Sequence, residues 1–478
     1  MRQVDVAVIG AGHAGLNAIK EIRRQTDNWV LINGGPLGTT CARVGCMPSK
    51  VALELANVYH SRHKFEQLGI LGAESMQLDV PQALEELRDM RDMFVDLVLA
   101  NTTDEMGDRL IEGYARFLDP HTLIVEGQVI HAKAIIIATG SSSVIPYQWR
   151  GLEDRLLTVE NLFEQPQLPD SVAVIGLGPI GLEMGQTLSR LGVKVTGIDH
   201  AQTLSRIGDP EIAAMALQIF SREFPIWLGA PAELERVGDK LRVSAADNRV
   251  EVDKVLVALG RRPNLRSLGL DRLDLELDER GVPRYDPHTL QVGNYRIFIA
   301  GDAGGGAGLL QKAADQGRIA GFNALRPKPQ PFKQKAPFSI LFSDPNIALV
   351  GAAWEDLDSW DTAVGQYRFG PLGRAIIMRK NRGMIRLYAE KASGRLLGGA
   401  MIGPGCEHLG HLLAWAVQQE MTVTEALRMP FYHPVIEEAL QDALHELGRQ
   451  CDPATGSMDS FERLHDYRPA KYGLKSVV

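Results

Sequence analysis

Short, unbroken apolar runs punctuate the chain, and several of them end on glycine. "VDVAVIG" leads into Gly10-Ala11-Gly12-His13-Ala14-Gly15, which predicts a buried strand, a tight turn and a helix. A second run, "WVLIN", ends at Asn33. The arrangement then returns. "SVAVIG" leads into Gly176-Leu177-Gly178-Pro179-Ile180-Gly181, and "VKVTGID" ends at Asp199. Gly10 to Gly176, Gly15 to Gly181 and Asn33 to Asp199 are each 166 residues apart, so the pattern predicts two units of one design.

A lone G-x-G-x-x-G is a weak signal in a chain with 48 glycines. Here each copy follows a strand, opens a helix and precedes a second strand end at a fixed distance. The first glycine permits the turn, the second lets backbone approach a pyrophosphate, and the third lets helix and strand pack closely. The helix N-terminus offers free N–H groups and a positive dipole end. The expected fold class is therefore α/β, with two Rossmann-like dinucleotide-binding domains.

Three further strand ends carry polar motifs. "AIIIATGS" contains Thr139 and Gly140 and ends at Ser141. "VLVALGRRPN" contains Gly260 and ends at Asn264. "RIFIAGDAGG" contains Gly301 and places Asp302 at the carboxyl edge of a strand, where ligands of open α/β sheets bind. Before "ATGS" lies a helical stretch whose Leu84, Leu87, Phe94, Leu97 and Val98 share one face, as a helix packed on one side requires. "RPKPQPFKQKAP" reads as a linker, and from Phe338 a last segment alternates strands and helices. The polar tail after Cys451 is weakly patterned and carries no structural expectation.

The chain has 478 residues, enough for three or four domains, and a formal net charge of -8. That acidic balance disfavours general binding to nucleic acid or to an anionic membrane. Four cysteines in such a length make no disulfide framework and point to a reducing compartment. No apolar run reaches membrane length, and the opening run is too short for a signal peptide. A soluble, cytoplasmic protein is expected.

Two of the cysteines sit together in "TTCARVGCMPSK" as Cys41 and Cys46. Zinc needs four ligands, and Cys406 and Cys451 lie far along the chain, so no metal is expected. In an undistorted helix, residues five apart lie roughly 8–9 Å apart at Cα, whereas a disulfide wants less than about 7 Å. Gly45 can supply the departure from helical geometry, and Pro48 fits the first turn of a following helix. Cys46 then lies at a helix N-terminus, where the dipole favours thiolate, and Lys50 follows one turn later. A working redox pair and two inert thiols both remain open in this window. Near the other end, His433 precedes Pro434, which suits a first helical position, and Glu438 can reach back to one imidazole nitrogen. A general base and a plain capping histidine are the two readings there.

Taken in order, G-x-G-x-x-G, C-x4-C-x-P-S-K, "ATGS", the second G-x-G-x-x-G, "ALGRRPN", "AGDA" and "HP" with its glutamate cover nearly the whole chain. This set resembles the FAD-dependent pyridine nucleotide–disulfide oxidoreductases, and among them the dihydrolipoamide dehydrogenase branch. The resemblance implies a fold of a discontinuous FAD-binding domain (1–150 and 271–337), an NAD-binding domain (151–270) and an α+β dimerisation domain (338–452), followed by the tail 453–478. It implies FAD on Gly10, Gly12, Gly15, Asn33, Thr40, Lys50, Thr139, Gly140, Gly301 and Asp302. It implies NAD on Gly176, Gly178, Gly181, Asp199 and Gly260. Cys46 corresponds to the thiol facing the flavin and Cys41 to the one that exchanges with substrate. Lys50 and Glu183 correspond to an ion pair beside the flavin. His433, oriented by Glu438, corresponds to a base acting on the cysteines of the other subunit of a homodimer. The implied reaction oxidises dihydrolipoamide or another small dithiol and reduces NAD, with a place in a 2-oxo-acid dehydrogenase complex compatible with it.

Some positions depart from that pattern. Asn33 stands where the family has a glutamate for the ribose of FAD, Gln311 replaces a histidine, and Val435 and Glu437 replace small polar residues. Asp199 favours NAD over NADP, because a carboxylate accepts from a free 2′-hydroxyl and repels a phosphate. Two alternatives stand beside the dehydrogenase: an NAD(P)H-dependent reductase of another small disulfide, and a non-catalytic redox-sensing flavoprotein.

Overall fold

The computed structural model describes residues 1–306 and 308–451 together with Met458 and Phe461, and the counts below are of those residues. Apart from these last two, the tail 453–478 lies outside the described residues. The chain divides into two compact units, Met1–Arg206 with Leu217–Gln334, and Ile207–Ala216 with the chain from Lys335 on.

The first unit is built on two sheets. One has seven strands, ordered Leu110–Glu112, Trp29–Asn33, Arg2–Ile9, Gln128–Ile137, Thr122–Val125 and Arg116–Asp119, with Ile297–Ile299 also paired to Gln128–Ile137. Arg2–Ile9 runs parallel to both neighbours, and Val6, Ala7 and Val8 are fully buried. An apolar run without alternation is what burial on both faces demands. The late strand Ile297–Ile299 joins in parallel, so this sheet is completed only after the chain has built the second one. That second sheet is wholly parallel, in the order Ile226–Leu228, Lys194–Asp199, Ser171–Ile175, Lys254–Val257 and Leu156–Leu157. A short antiparallel ribbon, Ser141–Ser143 against Arg261–Pro263, ties the stretch after Gln128–Ile137 of one sheet to the stretch after Lys254–Val257 of the other.

The helix after the first glycine motif, His13–Ile22, packs on Leu310–Ala324 without side chains between them. A Cβ on Gly317 would lie 2.1 Å from the carbonyl oxygen of Ala14, and one on Gly321 would lie 2.5 Å from that of Ala18. Glycines four apart face the same way, so backbone meets backbone along that line. The helix Val80–Ala100 starts at Asp79, whose carboxylate accepts from Gln82 N–H. It buries Leu84, Leu87 and Val95, whereas Leu97, expected on the packed face, is 53% exposed. The face turns by about a residue along this helix, because 3.6 residues per turn carry an i, i+3, i+7 stripe away from its starting line.

The second unit holds a five-stranded antiparallel sheet, Phe338–Leu341, Asn346–Gly351, Leu396–Gly403, Met384–Glu390 and Thr362–Arg368 in that order. Helices Cys406–Gln418 and Glu438–Cys451 bury Leu409, Leu413, Leu444 and Leu447 in the same core. Asp209 is buried in this unit and satisfied: its Oδ2 accepts from Arg386 Nε at 2.8 Å and from Tyr388 Oη at 2.6 Å. Burial and that carboxylate hold the Tyr388 hydroxyl well above the usual phenol range. No helix among the described residues is long and apolar enough to cross a membrane.

Gly317→Ala forces a methyl into a backbone contact and is expected to cost about 1–3 kcal/mol of stability. A lower denaturation midpoint checks it, with Gly370→Ala as control, because a Cβ there meets nothing within 4 Å.

Candidate active site

The two glycine motifs are steric copies of each other. Gly10 has φ +110 and Gly176 has φ +92, the left-handed region that favours glycine. A Cβ on Gly15 would lie 1.9 Å from the Gly10 carbonyl oxygen, and one on Gly181 would lie 1.8 Å from that of Gly176. At the middle glycines, Gly12 and Gly178, a Cβ would meet nothing within 4 Å. These two also cap helices His13–Ile22 and Pro179–Arg190 without any side-chain cap, leaving first-turn N–H groups for an anion. Asn33 Oδ1 accepts from Ala11 N–H at 3.1 Å, and Asp199 Oδ2 accepts from Leu177 N–H at 2.6 Å. The 166-residue register thus holds down to single hydrogen bonds.

At the carboxyl edge of the first sheet, Thr139 has a buried hydroxyl with no hydrogen-bond partner among the described residues. Gly140 follows at φ +67 and Gly301 at φ +69. Gly301 N–H donates to Gln316 Oε1 at 2.9 Å. Asp302 Oδ2 accepts from Ser141 Oγ at 2.6 Å, and that same hydroxyl accepts from Arg261 Nε at 2.9 Å. Arg261 continues to Glu160 Oε1 at 3.1 Å. Burial pushes Glu160 upward, but the hydroxyls of Ser143 and Thr158 and the Arg261 charge outweigh it and hold the carboxyl low. Gly260, at φ +93, precedes Arg261. Sequence motifs marked "ATGS" and "GRRPN", but not that Ser141 and Arg261 join them. A contact across about 120 residues leaves no periodic trace.

The cysteine window is split between two helices. Thr40–Arg43 forms one short helix, capped by Thr39, and Cys46–Ser61 forms another. Gly45, at φ −111 and ψ −115, breaks the helix between them. Thr40, at the start of the first helix, is exposed. Both cysteines are free thiols, and Pro48 sits in the first turn after Cys46. The Cys41 thiol donating to its sulfur, together with the Lys50 charge, pushes the Cys46 thiol down to about 6, against desolvation and Glu183. Cys41 is held far above the ordinary thiol range by the same hydrogen bond and by burial. One turn on, Lys50 Nζ lies 2.8 Å from Glu183 Oε2 of helix Pro179–Arg190, and the Glu183 side chain is 7% exposed. This ion pair fixes the thiol helix against the helix of the second glycine motif.

In the second unit, His433 Nδ1 lies 2.8 Å from Glu438 Oε1. Glu438 Oε2 accepts from Val435 N–H at 3.0 Å. The imidazole, more than any other partner, holds the Glu438 carboxyl below its usual range. The imidazole is otherwise exposed, with Nε2 turned from this contact. The helix expected to start at Pro434 starts at Glu438 instead. The intervening residues loop so that both carboxylate oxygens of Glu438 can reach back, which a helix from Pro434 would forbid.

Residues 4–317 match the model of the pyridine nucleotide-disulphide oxidoreductases, and residues 338–444 match that family's dimerisation domain. The chain belongs to the pyridine nucleotide-disulphide oxidoreductases. A dihydrolipoyl dehydrogenase of Halobacterium salinarum is 29% identical over 465 residues, covering 93% of this chain and 96% of that protein. A mercuric reductase of Bacillus cereus is 29% identical over 428 residues, covering 88% and 67%. Among solved structures, the HOCl-induced flavoprotein disulfide reductase RclA of Escherichia coli, as a Cu(II) complex, has a TM-score of 0.82 at 23% identity, covering 93% and 99%. LpdA of Mycobacterium tuberculosis has a TM-score of 0.82 at 23% identity, covering 94% and 100%. At that identity the two structures speak for the fold.

Oxidoreductases of this family use FAD and NAD(P). The residues present fit two such dinucleotides: two open glycine cradles at helix starts, and a buried Thr139 hydroxyl awaiting a partner. In the reduced protein the ultraviolet thiolate absorbance is expected to appear with an inflection near pH 6 and to be lost below it. Cys46→Ser should remove it. Cys41→Ala, by deleting the largest cause, should move the inflection to higher pH.

Proposed function

We propose that the chain is an enzyme of the dihydrolipoamide dehydrogenase type, oxidising a small dithiol at Cys41 and Cys46 and reducing NAD. The observation that carries this is the Lys50–Glu183 pair, 2.8 Å apart, one turn beyond Cys46. It holds a low-pKa thiol on a helix docked against the helix of the second dinucleotide cradle. In this reading Gly10, Gly12, Gly15, Asn33, Thr40, Lys50, Thr139, Gly140, Gly301 and Asp302 hold FAD, and Gly176, Gly178, Gly181, Asp199 and Gly260 hold NAD. Bound FAD would supply the two-electron relay between the thiols and the nicotinamide.

The exchange steps follow from the two thiols' unequal pKa. In the oxidised protein Cys41 and Cys46 share a disulfide. A substrate thiolate attacks Cys41 Sγ, the S–S bond breaks, and Cys46 leaves as the thiolate its surroundings favour. The second substrate thiol attacks the mixed disulfide, closing the substrate disulfide and releasing Cys41. His433, its Nδ1 held by Glu438, takes the substrate proton at Nε2. Overall a dithiol and NAD⁺ give a disulfide, NADH and a proton. The family's dimerisation domain supports a homodimer, and this reading places His433 at the cysteine pair of the partner. Asp199 supports NAD: its Oδ1 and Oδ2 are each fixed by a backbone N–H, leaving acceptors for ribose hydroxyls. Equal 29% identity to a mercuric reductase favours one second reading, a reductase working in the opposite direction. The four cysteines include no adjacent pair to support a metal-thiol substrate.

Anaerobic dihydrolipoamide and NAD should give NADH with the wild type and none with Cys46→Ser. NADPH should be a poor reductant in the reverse assay, and a clear preference for it would overturn the NAD assignment. His433→Gln should lower turnover by roughly 10²–10⁴-fold. Mixing His433→Gln with Cys46→Ser subunits should restore part of the activity, and failure of that complementation would exclude a shared site.

A further inference from the structure

The two nucleotide units are an internal comparison, and at the adenosine end they differ in two linked places. Glu112 pairs with Asn33 in the first unit as Leu228 pairs with Asp199 in the second. Each pairing strand continues into a glycine of positive φ, Gly113 or Gly229. The next residue is Tyr114 in the first unit and Ala230 in the second. Tyr114 is 67% exposed. Its ring lies on Gly34: a Cβ there would come within 2.6–2.8 Å of three ring carbons. One face of an aromatic ring is thus seated beside Asn33, and the rest is open.

The side chains at the strand ends are also held oppositely. Asp199 Oδ1 faces the N–H of Ala201 at 2.9 Å. At the matching place, Asn33 Nδ2 faces the carbonyl of Gly35 at 2.5 Å. The residue two positions on presents its N–H in one unit and its carbonyl in the other. With Oδ1 on the Ala11 N–H, the two contacts taken together require an amide, since only Nδ2 can donate to the Gly35 carbonyl. A carboxylate at 33 would turn an oxygen onto a carbonyl oxygen.

We infer that the first unit holds the adenosine of its dinucleotide by an aromatic platform, Tyr114, and a neutral amide, Asn33, where the second unit uses a carboxylate. Asn33 retains one donor and one acceptor for the two ribose hydroxyls, and the open Tyr114 face stacks on adenine. Asn33 is therefore a fitted part of the site and not a weakened carboxylate. The inference rests on the reading that the first unit binds FAD, and it concerns only the adenosine end.

The test is equilibrium titration of the full chain, stripped of flavin, with FAD and with FMN, which lacks adenosine. Tyr114→Ala is expected to weaken FAD by about tenfold, the scale of base–aromatic stacking, and to leave FMN unchanged. Tyr114→Phe should retain FAD affinity. Asn33→Asp should weaken FAD and spare FMN. NADH binding and circular dichroism report that each variant is folded. A FAD-to-FMN ratio unmoved by Tyr114→Ala, or tighter FAD binding by Asn33→Asp, overturns the inference. A wild type that binds neither flavin overturns the FAD assignment itself.

Discussion

The arrangement turns on one ion pair. Lys50 and Glu183 come from helices far apart in sequence, and Glu183 is almost wholly buried. Desolvating two charges returns little net stability, but stranding one of them costs about 3–5 kcal/mol. The pair therefore acts as a register lock: helix Cys46–Ser61 has one docking position on helix Pro179–Arg190, and the thiol follows. The hydrogen bond from Cys41, aided by the Lys50 charge, then favours the negative charge on Cys46. The lysine that fixes the position of Cys46 thus also contributes to its charge state.

Much of this was legible in the sequence, because its causes are local or repetitive. A short unbroken apolar run that ends in a glycine motif reads as a strand buried on both faces, so Arg2–Ile9 and Ser171–Ile175 were readable. The break at Gly45 was readable as what a bond between Cys41 and Cys46 would need. Where neighbours decide, the sequence was silent. Pro434 looked like a helix start, yet Glu438 draws the chain back toward His433 and the helix waits for it. Leu97 fitted a helical stripe that the packing does not follow. Ser141 and Arg261 meet Asp302 and Glu160 only because two distant strands pair into a ribbon. Tyr114 carried no motif, and only the ring lying on Gly34 singles it out.

That ribbon also bears on how the two nucleotide sites share one frame. Asp302, among the side chains expected to hold FAD, is bonded to a hydroxyl that is itself held by the arginine following the second sheet. The hydroxyl donates one way and accepts the other, so the chain of contacts has a fixed direction. Its members come from both sheets, and none sits in either glycine motif.

The glycine contacts set what each nucleotide site was free to become. At Gly15 and Gly181 there is room for a hydrogen atom and nothing more, so those positions admit no variation in either unit. The strand ends at Asn33 and Asp199 meet a turn that offers a backbone carbonyl to one side chain and a backbone N–H to the other. Two copies of one scaffold could thus drift apart in the adenosine chemistry they recognise while remaining superimposable at the phosphates.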